Sequence, residues 1–353
     1  MERSMASMNT PLDFQGWLPI RLWQGDTGWR VDWCWFGERR LARPFFRDDV
    51  DLALRLPFNQ AMRRETDVQA LLDWHARSPG LSPSALVFHA SRCGSTLVAQ
   101  LLASQARNIV LSEPPPLDNL LRAARQDPAA ATWQAEALRA LCSAYGQRRR
   151  GDEQQLLIKL DAWNIFDAPL LTALYPDVPR VFLYRDPLEI VVSQLRQAGM
   201  HRVPGLLGAS GLDSLLPDPQ TMGTVEYTCR LIGEILAAGL ALCERHGGIA
   251  VNYSELPDAV WGRLGPLFDI QPGDVAGLRC VAAFDAKQPA MNFSADSQRK
   301  REAASDEIRA AVARWAQAPY NALESIRLRN VQEMASNDLE RVFEKKVEET
   351  LRR

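Results

Sequence analysis

Trp29, Val31, Trp33 and Trp35 alternate with Arg30, Asp32 and Cys34, the two-residue period of a half-buried strand. Gln24-Gly25-Asp26-Thr27-Gly28 precedes them and carries the residues of a hairpin turn. Gly37-Glu38 offers a second turn, toward a further extended stretch at 41–46. Residues 1–80 therefore predict a small antiparallel β meander. Half of the chain's 10 tryptophans (Trp17, Trp23, Trp29, Trp33 and Trp35) fall between residues 17 and 35, so the meander either packs a small aromatic core or walls a ligand pocket.

The pattern changes after residue 80. Short apolar runs at 85–89, 108–111, 155–160, 180–184 and 248–253 are separated by stretches of helical period. The predicted helices include 95–104, 129–148, 187–198 and 222–246. Strands alternating with helices predict an α/β domain over 81–302, with a parallel sheet of about five strands flanked by helices. Residues 199–218 hold Gly199, Pro204, Gly205, Gly208, Gly211 and Pro217 and predict a long loop suited to a lid. The remainder, 303–353, is charged and helical. In 337–353 the spacing sets Glu340 against Glu344 and Glu344 against Glu348, so a solvated or frayed helix is expected.

Charge narrows the functional classes. Lys and Arg total 41 against 43 Asp and Glu, a net charge of −2, so no polyanion groove and no nucleic-acid partner is expected. Any anion site must be local. The cysteines (Cys34, Cys93, Cys142, Cys229, Cys243 and Cys280) show neither CxxC pairs nor regular spacing, which argues against a metal site and a disulfide framework. Met1-Glu2-Arg3-Ser4 opens no apolar leader, and the best membrane candidate, 231–243, is short and holds Glu234. No membrane span and a cytoplasmic location are expected.

In an open α/β sheet, ligands bind beyond the carboxyl ends of the strands. The predicted strands end in Ser91-Arg92-Cys93-Gly94-Ser95-Thr96, Ser112-Glu113-Pro114, Lys159-Leu160-Asp161, Arg185-Asp186-Pro187 and Tyr253-Ser254-Glu255. Cations, hydroxyls, carboxylates and an aromatic ring thus converge on one rim. Gly94 permits a tight turn before a helix whose N-terminal N–H groups favour an anion. A Walker A loop would need a lysine where Gly94 stands. Asp186 and Glu189 form a capping-box pattern with Pro187 at the first helical position. Arg185 has no such local explanation. It either grips a phosphate together with Ser193, eight residues on, or pairs with a carboxylate.

These segments resemble the sulfotransferase superfamily, which uses 3′-phosphoadenosine-5′-phosphosulfate (PAPS). Ser91 to Leu97 looks like that family's 5′-phosphosulfate loop, and Arg185-Asp186-Pro187 with Ser193 looks like its 3′-phosphate motif. Val251-Asn252-Tyr253-Ser254-Glu255-Leu256 is similar to a segment whose ring can lie near the adenine. The resemblance covers roughly 82–300 and implies metal-free, in-line sulfuryl transfer with PAP as product. It implies that Arg92, Cys93, Gly94, Ser95, Thr96, Arg185, Ser193 and Tyr253 bind the nucleotide, with Arg299 and Lys300 on a late nucleotide-binding loop.

Glu113 resembles the glutamate near that position in carbohydrate and protein-tyrosine sulfotransferases, which makes it the expected general base. Asp161 and His201 are alternatives, and Glu113 could instead form a salt bridge to Arg92 or Lys159. Lys159, at its strand end, is expected to hold the bridging oxygen of the leaving group, whereas His89 is expected to be packed. The acceptor, whether carbohydrate, peptide tyrosine, lipid or small molecule, is not legible. A P-loop kinase or hydrolase and a non-catalytic nucleotide-binding protein are the competing readings.

Overall fold

The alternating tryptophan stretch forms a hairpin in the computed structural model, which describes residues 13–332 apart from 213–215, 217–220, 289 and 295. Strands β1 (Trp17–Gly25) and β2 (Gly28–Trp35) pair antiparallel, from Trp17 opposite Trp35 to Gly25 opposite Gly28. The third strand, β3 (Arg64–Asp67), lies later than the expected 41–46 and closes against β2. Residues 41–45 carry no strand. Pro44 cannot donate to a ladder, and Asp48 and Asp49 favour the start of helix α1 (Phe46–Leu54) instead.

Trp17, Trp29 and Trp33 are buried, in an apolar cluster that runs on beneath the larger sheet. Trp29 meets Trp133 edge-on at 5.7 Å, and the Tyr145 hydroxyl donates to the Pro19 carbonyl at 3.0 Å. The meander is thereby welded to the rest of the molecule.

Strands β4 (Pro83–His89), β5 (Asn108–Ser112), β6 (Gln155–Lys159), β7 (Arg180–Tyr184) and β8 (Ile249–Asn252) form a parallel sheet in the order β5-β6-β4-β7-β8. Both faces are covered, so the strands read as continuous apolar runs. On β7, Phe182 and Tyr184 enter one core while Val181 and Leu183 enter the other. The chain leaves β4 on one side toward β5 and β6, then crosses over to β7. That reversal opens a crevice at the carboxyl end of β4.

Among the helices, α2 (Ser95–Ser104) follows β4 directly. The expected helix at 129–148 is divided into a 3₁₀ turn, Pro128–Thr132, and α3 (Gln134–Tyr145). Helix α4 (Pro187–Arg196) follows β7, and α5 (Thr224–Arg245) lies over it. A Cβ on Gly239 of α5 would stand 2.1 Å from the Phe182 ring, so glycine there sets how closely helix and sheet approach. Helices α6 (Ser297–Glu302) and α7 (Asp306–Trp315) precede a helical stretch at 317–332. The charged stretch at 337–353 lies outside the described residues. Among the described residues no helix is long and apolar enough to cross a membrane, and all 6 cysteines are free.

Candidate active site

The turn after β4 bends through three left-handed residues, Ser91 (φ 62°), Arg92 (φ 51°) and Gly94 (φ 83°). Glu113 (φ 55°), at the end of β5, is a further one. Each non-glycine residue in that region costs roughly 1–3 kcal/mol and persists only where its surroundings hold it. Three of the four found among the described residues line one cleft of about 420 Å³. Strain is concentrated at this site.

Several contacts hold the turn. Ser91 N donates to His89 Nδ1 at 3.0 Å, and Gln194, fully buried on α4, donates to Ser91 Oγ at 2.9 Å. Gln194 also sits 3.2 Å from His201 and accepts from Gly199 N at 2.7 Å, which ties the 199–202 segment to the turn. Arg92 Nη2 donates to the Gln197 carbonyl at 2.9 Å. The Cys93 thiol points inward to the Leu183 carbonyl at 3.2 Å, and burial pushes it up to about 11. Cys93 can therefore meet a ligand through its main chain only. Ser95 and Thr96 line the cleft at the head of α2.

Gly94 is fixed by more than its φ. A Cβ there would stand 2.7 Å from Leu256 Cδ1 and 2.9 Å from Tyr253 Cδ2. Tyr253, just past β8, also carries the Arg185 guanidinium over its ring, 4.0 Å from the centroid. One aromatic ring thus joins the turn to the arginine.

Arg185 is buried and bonded on several sides. Its Nε donates to Glu189 at 2.5 Å, and its Nη2 to Asp296 and Ser297 Oγ, each at 2.8 Å. Lys300 holds the same Asp296 carboxylate at 2.7 Å. The expected capping box is absent. Asp186 does accept from Leu188 N, but Glu189 turns to Arg185 and Arg301 instead of reaching back to Asp186. A buried guanidinium outcompetes a main-chain N–H for a carboxylate. Arg185, Ser193 and Lys300 line the cleft; Arg299 is exposed and does not.

Glu113 is held by Lys159 and lies 3.2 Å from His89 Nε2. Burial alone would raise its carboxyl, but the Lys159 ammonium and the His89 ring hold it well below the usual carboxylate range. Lys159 is buried behind Glu113, 3.3 Å from Ser112 Oγ, and is not part of the cleft wall. Asp161 does line the cleft. Burial, then the charges of Glu113 and Asp118, push its carboxyl well above the usual range. His201 lines the cleft as a neutral ring, since burial and neighbouring His89 bring it down to about 4.

No protein-family model matches this chain, and no curated protein matches it. The functional reading therefore rests on the cleft. Sequence reasoning missed Phe45, Trp163, Phe284, Lys287 and Phe293, which complete its wall. None stands at a strand end. Burial and the nearby Arg92 lower the Lys287 ammonium. It also missed Asp296, whose i,i+4 spacing to Lys300 was the available signal.

The cleft brings together two groups of the kind that suits an anion. One is a strained backbone turn at a helix start. The other is a side-chain cluster around Arg185 that already grips a carboxylate. Two carboxyl groups with opposed proton affinities stand beside the turn.

Proposed function

We infer that this protein transfers a sulfuryl group from PAPS to a hydroxyl or amine acceptor. The observation that carries the reading is Tyr253, packed between Gly94 of the turn and the Arg185 guanidinium. A nucleotide with an anionic group at each end of its sugar needs two such seats about one ring. The Asp296 carboxylate held by Arg185 and Lys300 supports the fit of the second seat to an oxyanion.

In this reading the turn at Arg92–Thr96 holds the 5′-phosphosulfate, and Arg185, Ser193 and Lys300 hold the 3′-phosphate. PAPS supplies the activated sulfuryl group. The acceptor oxygen or nitrogen bonds to sulfur, the bond to the phosphate oxygen breaks, and PAP leaves. The protein's part is to position these groups and offset charge spreading over the transferred oxygens. We assign the acceptor's proton to Asp161 rather than Glu113. Burial and the neighbouring carboxylates raise the proton affinity of Asp161, whereas the Lys159 pairing lowers that of Glu113. Glu113 then positions the rim, and Lys287, lining the cleft, takes the electrostatic part first expected of Lys159. The unpaired thiols support a cytoplasmic setting as part of the same reading.

Thermal shift with PAP against ATP·Mg²⁺ tests the donor. PAP should stabilise the protein without added metal, by about 2.7 kcal/mol at a hundredfold excess over Kd. Stabilisation by ATP·Mg²⁺ and not by PAP overturns the reading and favours a P-loop kinase or hydrolase.

A further inference from the structure

The reaction proposed above assigns no step to the N-terminal region, which gives the cleft only Phe45, yet that region walls a second cavity of about 560 Å³ between the meander and α1. Its apolar side is made by Trp33, Phe46, Val50 and Leu54, the first three of them buried. Around this floor stand Arg21, Arg47, Arg63 and Arg64, against Asp32, Asp51 and Glu65.

The pairing leaves positive charge over. Arg21 lies 3.7 Å from Asp32. Glu65 is taken at 2.8 Å by Arg30, which is not in the cavity wall. Arg64 is pinned 4.2 Å over the Trp17 ring. Arg47 and Arg63, both exposed, make no hydrogen bond or ion pair among the described residues. Two guanidinium groups without carboxylate partners among the described residues therefore stand at the edge of an apolar pocket, and the one wall carboxylate left over, Asp51, does not balance Arg47, Arg63 and Arg64.

This cavity adjoins the cleft through shared backbone. Phe45 lines the cleft while Phe46 and Arg47 line the cavity; Glu113 lines the cleft while Pro115 lines the cavity. Phe45 is extended (φ −133°, ψ 146°), so its side chain and that of Phe46 leave the backbone on opposite sides. The two cavities stand back to back.

We propose that the N-terminal cavity is a second binding site, for a small amphipathic anion. The ligand's aromatic or aliphatic body lies against Trp33 and Phe46, and its single sulfonate, carboxylate or phosphate group meets Arg47 and Arg63. Guanidinium forks match such oxyanions two bonds at a time, and an apolar body gains by leaving water. A neutral ligand of the same shape would leave the arginines unanswered.

The test titrates the full chain with 1-anilinonaphthalene-8-sulfonate and with uncharged N-phenyl-1-naphthylamine, which has the same rings without the sulfonate. The sulfonate should bind with a rise in fluorescence, and the neutral probe at least about tenfold more weakly, the ratio for one lost charge-assisted contact. Arg47→Glu with Arg63→Glu should weaken the sulfonate at least about tenfold with an unchanged circular dichroism spectrum. Arg92→Glu, in the cleft, should leave it unchanged. Equal binding of the two probes, indifference to the double reversal, or loss in Arg92→Glu would each overturn the proposal. If the double variant fails to fold, Arg63→Gln alone should still weaken the sulfonate severalfold, and no change there would also overturn it.

Discussion

The two proposed anion seats of the cleft are built in opposite ways. The turn at Ser91–Thr96 is made from six consecutive residues, and its receptive groups are main-chain N–H groups at a helix start. The Arg185 seat is made from side chains brought together from β7, β8 and the approach to α6, with Arg185 and Asp296 lying 111 residues apart in sequence. The first is fixed by backbone conformation, the second by tertiary packing and charge. A backbone seat fails when its φ angles cannot be reached, whereas a side-chain seat can be tuned one charge at a time.

The hardest blow to that contrast is Gly94→Val. It adds a branched side chain at φ 83°, where a Cβ already stands 2.7 Å from Leu256 and 2.9 Å from Tyr253. PAP binding should become undetectable by calorimetry, a loss of more than about a thousandfold, since both the turn and the Tyr253 bridge are displaced. Retention of near-normal PAP affinity would show that the backbone seat does not contribute.

A somewhat smaller effect separates binding from chemistry. Asp161→Asn should lower kcat by about a hundredfold, in the range for a general base, with PAP affinity nearly unchanged. The pH profile sharpens the assignment. A base with a raised pKa is protonated as pH falls through that raised value, so activity should fall on the acid side well above the ordinary carboxylate range. Were Glu113 the base, its lowered pKa would keep the rate flat across that interval. Glu113→Gln should mainly lower the Tm, because it leaves the buried Lys159 ammonium without its carboxylate. A flat acid limb together with normal turnover in Asp161→Asn would return the role to Glu113.

At the side-chain seat, Arg185→Ala should weaken PAP by about 10- to 100-fold, as expected for a lost charge-assisted pair of bonds. Adenosine 5′-phosphosulfate, which lacks the 3′-phosphate, should lose much less. Equal losses for the two nucleotides would mean that Arg185 acts on folding or on the turn.

The smallest effect tests whether the side-chain seat is tunable. Asp296 answers Arg185 and Lys300 with its own carboxylate. Asp296→Asn removes that competing charge, so PAP should bind about threefold more tightly, a gain typical of a partly exposed ion pair. Weaker binding would instead make Asp296 a positioning residue that aims Arg185 at its ligand.

Much of the rim was legible because it obeys strand-end logic. An apolar run followed by polar residues marks where a buried strand meets solvent, so Arg92, Glu113, Asp161, Arg185 and Tyr253 were found without coordinates. Lys159 obeyed the same rule and still falls outside the cleft wall, since a long flexible side chain goes to the nearest carboxylate. Glu189 fitted a capping box locally but bonds to Arg185, because a buried charge is a stronger claim than a main-chain N–H.

The sequence by itself determined the element types and the parallel α/β architecture, because apolar periodicity and turn chemistry are local properties of the chain. It also marked the tight turn at Gly94, whereas the left-handed Ser91 and Arg92 beside it are held by Gln194 and Gln197 from across the fold. Only the tertiary structure decided that β3 comes from 64–67, that the tryptophan meander shares the main core, and that Asp296 reaches Arg185. It alone set Glu113 and Asp161 apart in proton affinity. Those outcomes depend on which charges and surfaces meet across long loops, and energies of meeting are not written in any one segment.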